Sequence, residues 1–240
     1  MLSVAALLGL ASLLLIAPRL LLAARGPTPE VHGLLAWLWW LNAAYCGAVH
    51  GLRVVGTDPL PARGPAILIA NHTSGADVLL LQASCHRVLG FLIAQEVYDP
   101  PLIGPMARRL GCIPVRRDGR DLGATRAALR ALAEGRVVPM FPVGKILPDS
   151  GRTLGAGKPG VAFLAHRSRV PVVPAYICGT PPTSNIWRGL LTPSASIVRL
   201  GSPVDLHDLL DAPGKPDLDA ITARLMGAVE ALKSEGETSE

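Results

Sequence analysis

From residue 52 onward, short apolar runs alternate with amphipathic stretches. The runs at residues 52–56, 66–70, 88–94, 112–115, 137–142, 172–177 and 195–200 read as strands. The stretches at residues 76–85, 101–110, 121–134, 160–169 and 218–233 read as helices. In the third of these, Leu122, Leu129 and Leu132 share one face, Asp121 stands where a cap belongs, and Gly135 follows as a stop. Strand alternating with helix predicts an α/β fold, a mixed but mostly parallel sheet flanked by helices. Proline gathers at strand ends and loops rather than inside the helical patterns. There is no internal repeat, and residues 234–240 read as a short disordered acidic tail.

The pattern is different before residue 52. Residues 2–24 are apolar apart from Ser3, Ser12 and Arg19, with Pro18 as a kink. At about 1.5 Å per residue this run reaches roughly 35 Å, enough to enter or cross a bilayer core. A cleaved signal peptide fits less well, because no Lys or Arg precedes the run and no small-residue site leads into a polar start. A hinge at residues 25–30 leads to a second apolar stretch at residues 31–52. This stretch carries Trp37, Trp39, Trp40 and Tyr45, side chains that favour the headgroup region. The two stretches predict a membrane-associated helical hairpin, spanning or re-entrant, with a soluble helical subdomain as the alternative. The domain boundaries follow: hairpin 1–51, α/β domain 52–210, C-terminal helix and tail 211–240.

Composition sharpens this. Half of the 240 residues are apolar, 17% are charged, and mean hydropathy is +0.38, so part of the apolar content faces lipid. The net charge of +5 suits an anionic partner, either a membrane surface or a phosphorylated substrate. Nucleic acid is excluded as a partner: aromatics are 4%, and no Lys/Arg run exceeds two residues. Cys46, Cys85, Cys112 and Cys178 lie far apart without metal-ligand or redox spacing, and read as buried free thiols.

Candidate chemistry begins at Asn71-His72-Thr73-Ser74-Gly75-Ala76-Asp77, on a turn from a predicted strand into a predicted helix. An imidazole there can take a proton from a hydroxyl, and a carboxylate on its other nitrogen fixes the tautomer and stabilises the imidazolium. A second stretch, Gly111 to Arg117, ends a strand in two guanidinium groups suited to phosphate. Neighbouring side chains point apart, so one of Arg116 and Arg117 faces a cleft while the other pairs with Asp118 or Asp121. A third, Phe141-Pro142-Val143-Gly144-Lys145-Ile146, turns on a glycine beside a cation. The glycine-rich segment 151–159 after it adds Arg152 and Lys158 and has no P-loop spacing. The fourth, Val170-Pro171-Val172-Val173-Pro174-Ala175, reads as a stiff strand entry in the core.

In this order the four stretches resemble the lysophosphatidate acyltransferases, the glycerolipid acyltransferases with a His-x4-Asp motif. His72 and Asp77 match the first motif; Gly111, Ile113 and Arg117 match the second. Phe141, Pro142 and Gly144 match the third, residues 170–174 the fourth, and Lys158 with Gly160 the Lys-x-Gly that commonly precedes it. The resemblance covers residues 52–205, and a hairpin before this domain is usual in the family. It implies transfer of a fatty acyl group from acyl-CoA or acyl carrier protein to the hydroxyl of a lysophospholipid acceptor, foremost 1-acylglycerol 3-phosphate, giving phosphatidate. His72 is then the general base, Asp77 its orienting partner, and Arg117 the acceptor-phosphate ligand, helped by Arg116, Lys145 or Lys158 at the Gly144 turn. Backbone donors on the turn after His72 are expected to stabilise the oxyanion. Neither a metal nor a cofactor is required, since the thioester supplies the driving force. The domain is expected at a membrane, on its cytoplasmic face.

One position departs from the family. Val143 stands where the third motif has Glu, and a valine side chain accepts no hydrogen bond. Losing a bond to a charged group, worth about 1.5–3 kcal/mol, lowers turnover or affinity roughly ten- to a hundredfold. A catalytically impaired lipid-binding relative is therefore a competing reading. So is an acyltransferase for another acceptor, such as an ornithine lipid or a lysophospholipid with a larger head group. A serine hydrolase built on Ser74 fails, because a nucleophile elbow needs glycines where His72 and Ala76 stand. His32, His50, His86, His166 and His207 have no motif neighbours and receive no role.

Overall fold

The five apolar residues Ala66–Ala70 leave no polar face for water, and all five are buried. A strand like this belongs in the middle of a sheet covered on both sides. The structure, a computed structural model, describes residues 33–101, 103–116, 121–146 and 153–237. Its strands are β1 (Arg53–Val55), β2 (Ala66–Ala70), β3 (Leu92–Ala94), β4 (Ile113–Val115), β5 (Val137–Met140), β6 (Val172–Cys178) and β7 (Ile197–Leu200). Its longer helices are α1 (Leu34–His50), α2 (Asp77–Ser84), α4 (Ile103–Arg109), α5 (Leu122–Ala133), α6 (Gly160–Ser168), α7 (Ile186–Leu191) and α9 (Leu218–Glu237); single turns at Gln95–Tyr98 (α3) and His207–Leu210 (α8) complete the order.

The main sheet runs β1-β7-β6-β2-β5, with β2 between β6 and β5 and parallel to both. Only the β6–β7 pairing is antiparallel, and β3 and β4 form a separate parallel pair. Alternation along β2 divides the core. Ala66, Leu68 and Ala70 join a cluster with Leu80, Leu81 and Cys46 on the α1–α2 side. Ile67 and Ile69 join Ala128, Leu132, Val161, Ile221 and Leu225 under α5, α6 and α9. The mixed, mostly parallel sheet between helices is the fold that the alternation predicts.

Several boundaries move. Of the run at 88–94 only residues 92–94 form a strand, with Leu89 bridging to Val137. Residues 234–237, read as part of a disordered tail, continue α9, with Gly236 buried against the Arg199 guanidinium. The first apolar stretch (2–24), its hinge, Arg117, Asp118 and Arg152 lie outside the described residues. The second apolar stretch is a helix, α1, of 17 residues, about 25 Å long by its rise. It is docked rather than free: Cys46 and His50 are buried, and the Asn42 amide donates to the Leu79 carbonyl of α2 at 2.9 Å. Among the described residues no helix is long and apolar enough to cross a membrane.

Two buried polar groups fasten the frame. The Arg87 guanidinium donates to the carbonyls of Pro61, Gly64 and Gly135 at 2.9, 2.9 and 3.0 Å, tying together loops that lead into β2 and β5. His50 lies between the Tyr45 hydroxyl at its Nε2 and the Ser194 hydroxyl at its Nδ1. Tyr45 donates to the Leu190 carbonyl, so its oxygen accepts from His50 Nε2–H, and Nδ1 accepts from Ser194. The neutral ring satisfies this chain, and burial holds the His50 pKa below its usual 6.5, although the Leu190 carbonyl and Asp77 oppose that shift.

Arg87→Met strips three buried carbonyls of their donor and is expected to lower unfolding free energy by about 2–4 kcal/mol in denaturant titration. The unfolded state binds a proton at His50 before the folded state does. Stability from this group is therefore complete above pH 6.5 and falls as pH drops below it. The decline between pH 6.5 and 5 is expected to be shallower in His50→Gln.

Candidate active site

The site forms at the carboxyl end of β2, where neighbouring strands leave a crevice because their connections diverge. Asn71 sets the exit. Its side-chain amide donates to the Ile177 carbonyl at 2.8 Å and accepts from the Ile177 N–H at 2.7 Å, imitating one more rung of the β2–β6 ladder. Beyond it the chain turns, and α2 begins at Asp77, whose carboxylate lies fully buried in the first helical turn. This position suits a negative charge, which the positive end of the helix dipole favours.

One carboxylate oxygen organises the turn. Asp77 Oδ2 accepts from His72 Nδ1 at 2.8 Å, from the Thr73 N–H at 2.6 Å and from the Ser74 N–H at 2.9 Å. A carboxylate only accepts, so the imidazole supplies the proton at Nδ1 and its Nε2 carries the lone pair. The Thr73 hydroxyl bonds Asp77 Oδ1 at 3.3 Å and also meets Thr180 at the end of β6. These bonds correct one expectation. The Thr73 and Ser74 N–H groups hold Asp77, so they are not free to receive an oxyanion.

The third motif arrives at the same place on β5, the other neighbour of β2. The Phe141 ring stacks on His72 with centroids 4.0 Å apart and planes 9° from parallel. Phe91 backs Phe141 at 6.4 Å. Stacking covers a face of the imidazole and leaves its edge, with Nε2, accessible; the His72 side chain is 18% exposed. Gly144 follows with φ +77, its N–H bonded to the Phe141 carbonyl at 2.8 Å. A Cβ at Gly144 would sit 3.0 Å from Lys158 Nζ, so the absent side chain is what lets the lysine cross the turn. The Lys158 N–H donates to the Pro142 carbonyl, securing that crossing. Lys145 is exposed on the same turn, and Val143 is buried beside it.

Thus His72, Asp77, Gly144, Lys145 and Lys158 gather around two adjacent strand ends. Arg116 is placed differently. It is exposed and borders a cavity of about 510 Å³ with Gln95, Pro114 and Asp121, to which neither His72 nor Asp77 contributes. Its contact with Asp121 runs through the backbone, the Arg116 N–H donating at 2.9 Å. This bond and that from the Ala124 N–H hold the Asp121 carboxyl below its usual range. Arg117 lies outside the described residues. Among the described residues no three His, Cys, Asp or Glu side chains converge as metal ligands.

Two features escape sequence reasoning. Phe141 sits within a recognised motif, yet nothing in its spacing shows that it stacks on His72. Gly75, inside the His-x4-Asp turn, and Gly189, in α7, bring two backbones together. A Cβ on Gly75 would meet Ile186 Cα at 2.9 Å, and one on Gly189 would meet Ser74 Oγ at 2.5 Å. A bridge between Ser74 and Thr183 runs beside this contact. No local signal announces Gly189, because its partner is over a hundred residues away.

Asp77→Asn is expected to retain the fold while releasing the ring. In ¹⁵N spectra of labelled imidazole, the native protein should show one neutral tautomer with the proton on Nδ1. The variant should show a mixture.

A family model described as Acyltransferase matches residues 51–178. The 1-acyl-sn-glycerol-3-phosphate acyltransferase of Bacillus subtilis is 23% identical over 185 residues, covering 77% of this chain and 89% of that one. A lyso-ornithine lipid O-acyltransferase of Rhodobacter capsulatus is 37% identical over 100 residues, 41% of this chain and 35% of its own length. An uncharacterised Mycobacterium tuberculosis protein is 32% identical over 142 residues, and the match spans 54% of this chain but only 37% of that protein. The crystal structure of PlsC, the 1-acyl-sn-glycerophosphate acyltransferase of Thermotoga maritima, superposes with a TM-score of 0.66 over 94% of this chain and 88% of that one, at 19% identity, and shares its fold. With the family model spanning more than half of the chain and the four motifs following in order, the third with Val143 for its glutamate, the protein belongs to the acyltransferase family, that of the lysophosphatidate acyltransferases.

Proposed function

We propose that the protein transfers a fatty acyl group from a thioester, acyl-CoA or acyl carrier protein, to the free hydroxyl of a lysolipid at a membrane, with 1-acylglycerol 3-phosphate as the leading acceptor. The observation that carries this reading is the His72–Asp77 bond of 2.8 Å under the Phe141 ring, which leaves Nε2 as an unencumbered base. His72 Nε2 takes the hydroxyl proton as the oxygen attacks the thioester carbonyl. The tetrahedral intermediate collapses, the carbon–sulfur bond breaks, and the imidazolium returns its proton to the departing thiolate. Buried Asp77 stabilises that imidazolium and keeps the ring from turning. Lys158 and Lys145, beside Gly144, supply cations for the acceptor phosphate, together with Arg117, while Arg116 borders a separate cavity. No cofactor enters the sequence of steps.

A second reading rests on likeness. The lyso-ornithine lipid enzymes of Rhodobacter capsulatus and Rhizobium meliloti are 37% and 30% identical over 100 and 148 residues, so a lyso-ornithine lipid is the second acceptor. Buried, apolar Val143 in place of the family glutamate favours a third, the impaired lipid-binding relative.

Purified full-length protein, a labelled acyl donor and a panel of lysolipids separate these readings. Native protein is expected to acylate lysophosphatidate. His72→Ala is expected to lower the rate by about 10²–10⁴-fold with the fold retained. Normal transfer by His72→Ala rejects the base assignment. Preference for the ornithine acceptor selects the second reading. An inert native protein that Val143→Glu revives selects the third.

A further inference from the structure

A groove of about 530 Å³ opens between α1, α2, α4 and α7, bordered by Leu38, Trp39, Met106, Trp187, Leu190 and Leu191. Of the polar side chains on its walls, Asn42, Gln82 and Tyr45 are engaged within the protein, Tyr45 through the Leu190 carbonyl, while the Trp39 indole N–H has no hydrogen-bond partner among the described residues. Asn42 bonds the Leu79 carbonyl, and Gln82 bonds the Arg87 carbonyl and the Leu89 N–H. Its rim is exposed and apolar on both sides, with Trp187 69% and Leu191 72% exposed on α7 and Leu41 48% exposed on α1. Large apolar groups left this open and this close together mark a contact surface. The rim moves as one body, because Tyr45 of α1 bonds the Leu190 carbonyl of α7, and His50 and Ser194 brace the joint.

Charge selects the occupant. Arg188 on α7 and Arg108 and Arg109 at the end of α4 are exposed beside these apolar groups. A second copy of the chain on a two-fold axis would bring these guanidinium groups toward their own images. An anionic bilayer offers them phosphates and offers Trp187 and Leu191 the boundary between headgroup and acyl chain. We propose that α7 is a lipid-contact element which, with the outer face of α1, seats in the headgroup layer of an anionic bilayer and turns the groove toward the acyl region. The surface rests on the lysolipid reading for its use, since it lies on the helix packed against the His72–Asp77 turn. The Gly75–Gly189 contact then sets the site at a fixed height above the lipid surface.

The test is positional. Full-length protein is placed in nanodiscs of phosphatidylglycerol and phosphatidylcholine and spin-labelled at Leu191→Cys or, as a control, at Leu122→Cys, an exposed apolar position on α5. Both are made in a Cys178→Ser background. The other thiols are buried, and burial pushes Cys46 up to about 12 and Cys112 up to about 11, so they resist labelling at neutral pH. The label at 191 is expected to collide with oxygen and be shielded from a water-soluble nickel chelate, with the reverse at 122. A label at 191 that reads like the one at 122 overturns the proposal. So does one shielded from both relaxants, which indicates a protein occupant. The readout requires no turnover: correct depth without acyl transfer overturns only the lysolipid reading, and transfer with a water-exposed label overturns only the lipid contact.

Discussion

A single carboxylate oxygen holds the His72–Asp77 turn in shape. Asp77 Oδ2 gathers the imidazole and two consecutive peptide N–H groups, so the turn closes on the charge that it presents to the ring. Burying a carboxylate is unfavourable unless its hydrogen bonds are supplied, and here they come from His72, Thr73 and Ser74, just before it in the chain. The spacing of five therefore has a local cause. It is the length of chain that lets a helix-start carboxylate reach back both to the side chain and to the backbone that precede it. The same economy removes those N–H groups from any role toward a substrate.

The rest of the fold brings two distant segments to that turn, Phe141 against His72 and Thr180 against Thr73. Parallel β2, β5 and β6 deliver His72, Phe141 and Thr180 at the same edge, because parallel strands end together. The opposite edge is fastened by Arg87, whose guanidinium collects carbonyls from loops before β2 and β5. Chemistry and anchorage thus occupy opposite ends of one sheet. The turn at the chemical end can stay open to a ligand because cohesion is supplied elsewhere.

Much of this was legible in the sequence. Buried strands such as 66–70 and 172–178 announce themselves as apolar runs, and the helix at 122–133 announces itself through the Asp121 cap, which bonds the Ala124 N–H as its position implies, although its buried face is Ala124, Ala128, Ala131 and Leu132 and leaves Leu122 exposed. The His72–Asp77 pair was also readable, since its partners are local. What stayed hidden was non-local. The antiparallel return of β7 and the separation of β3 and β4 into their own sheet depend on pairing energies that no single segment encodes. The short helices at 95–98, 186–191 and 207–210 have too few residues to establish a period. The placement of Arg116 away from the dyad reflects the direction of β4, which pairs with β3 and not with the central sheet.

The contact between Gly75 and Gly189 constrains how such a sequence can diverge. Where two main chains touch, a single methyl group at either position forces the helix outward and drags the His72–Asp77 segment with it. Residues that point away from the seam, Trp187 and Leu191 among them, are under no such restriction. Descendants of this chain can thus exchange one apolar side chain for another on the outer side of that short helix over many generations, while the hydrogen atoms on its inner side hold the geometry of the His72–Asp77 turn constant.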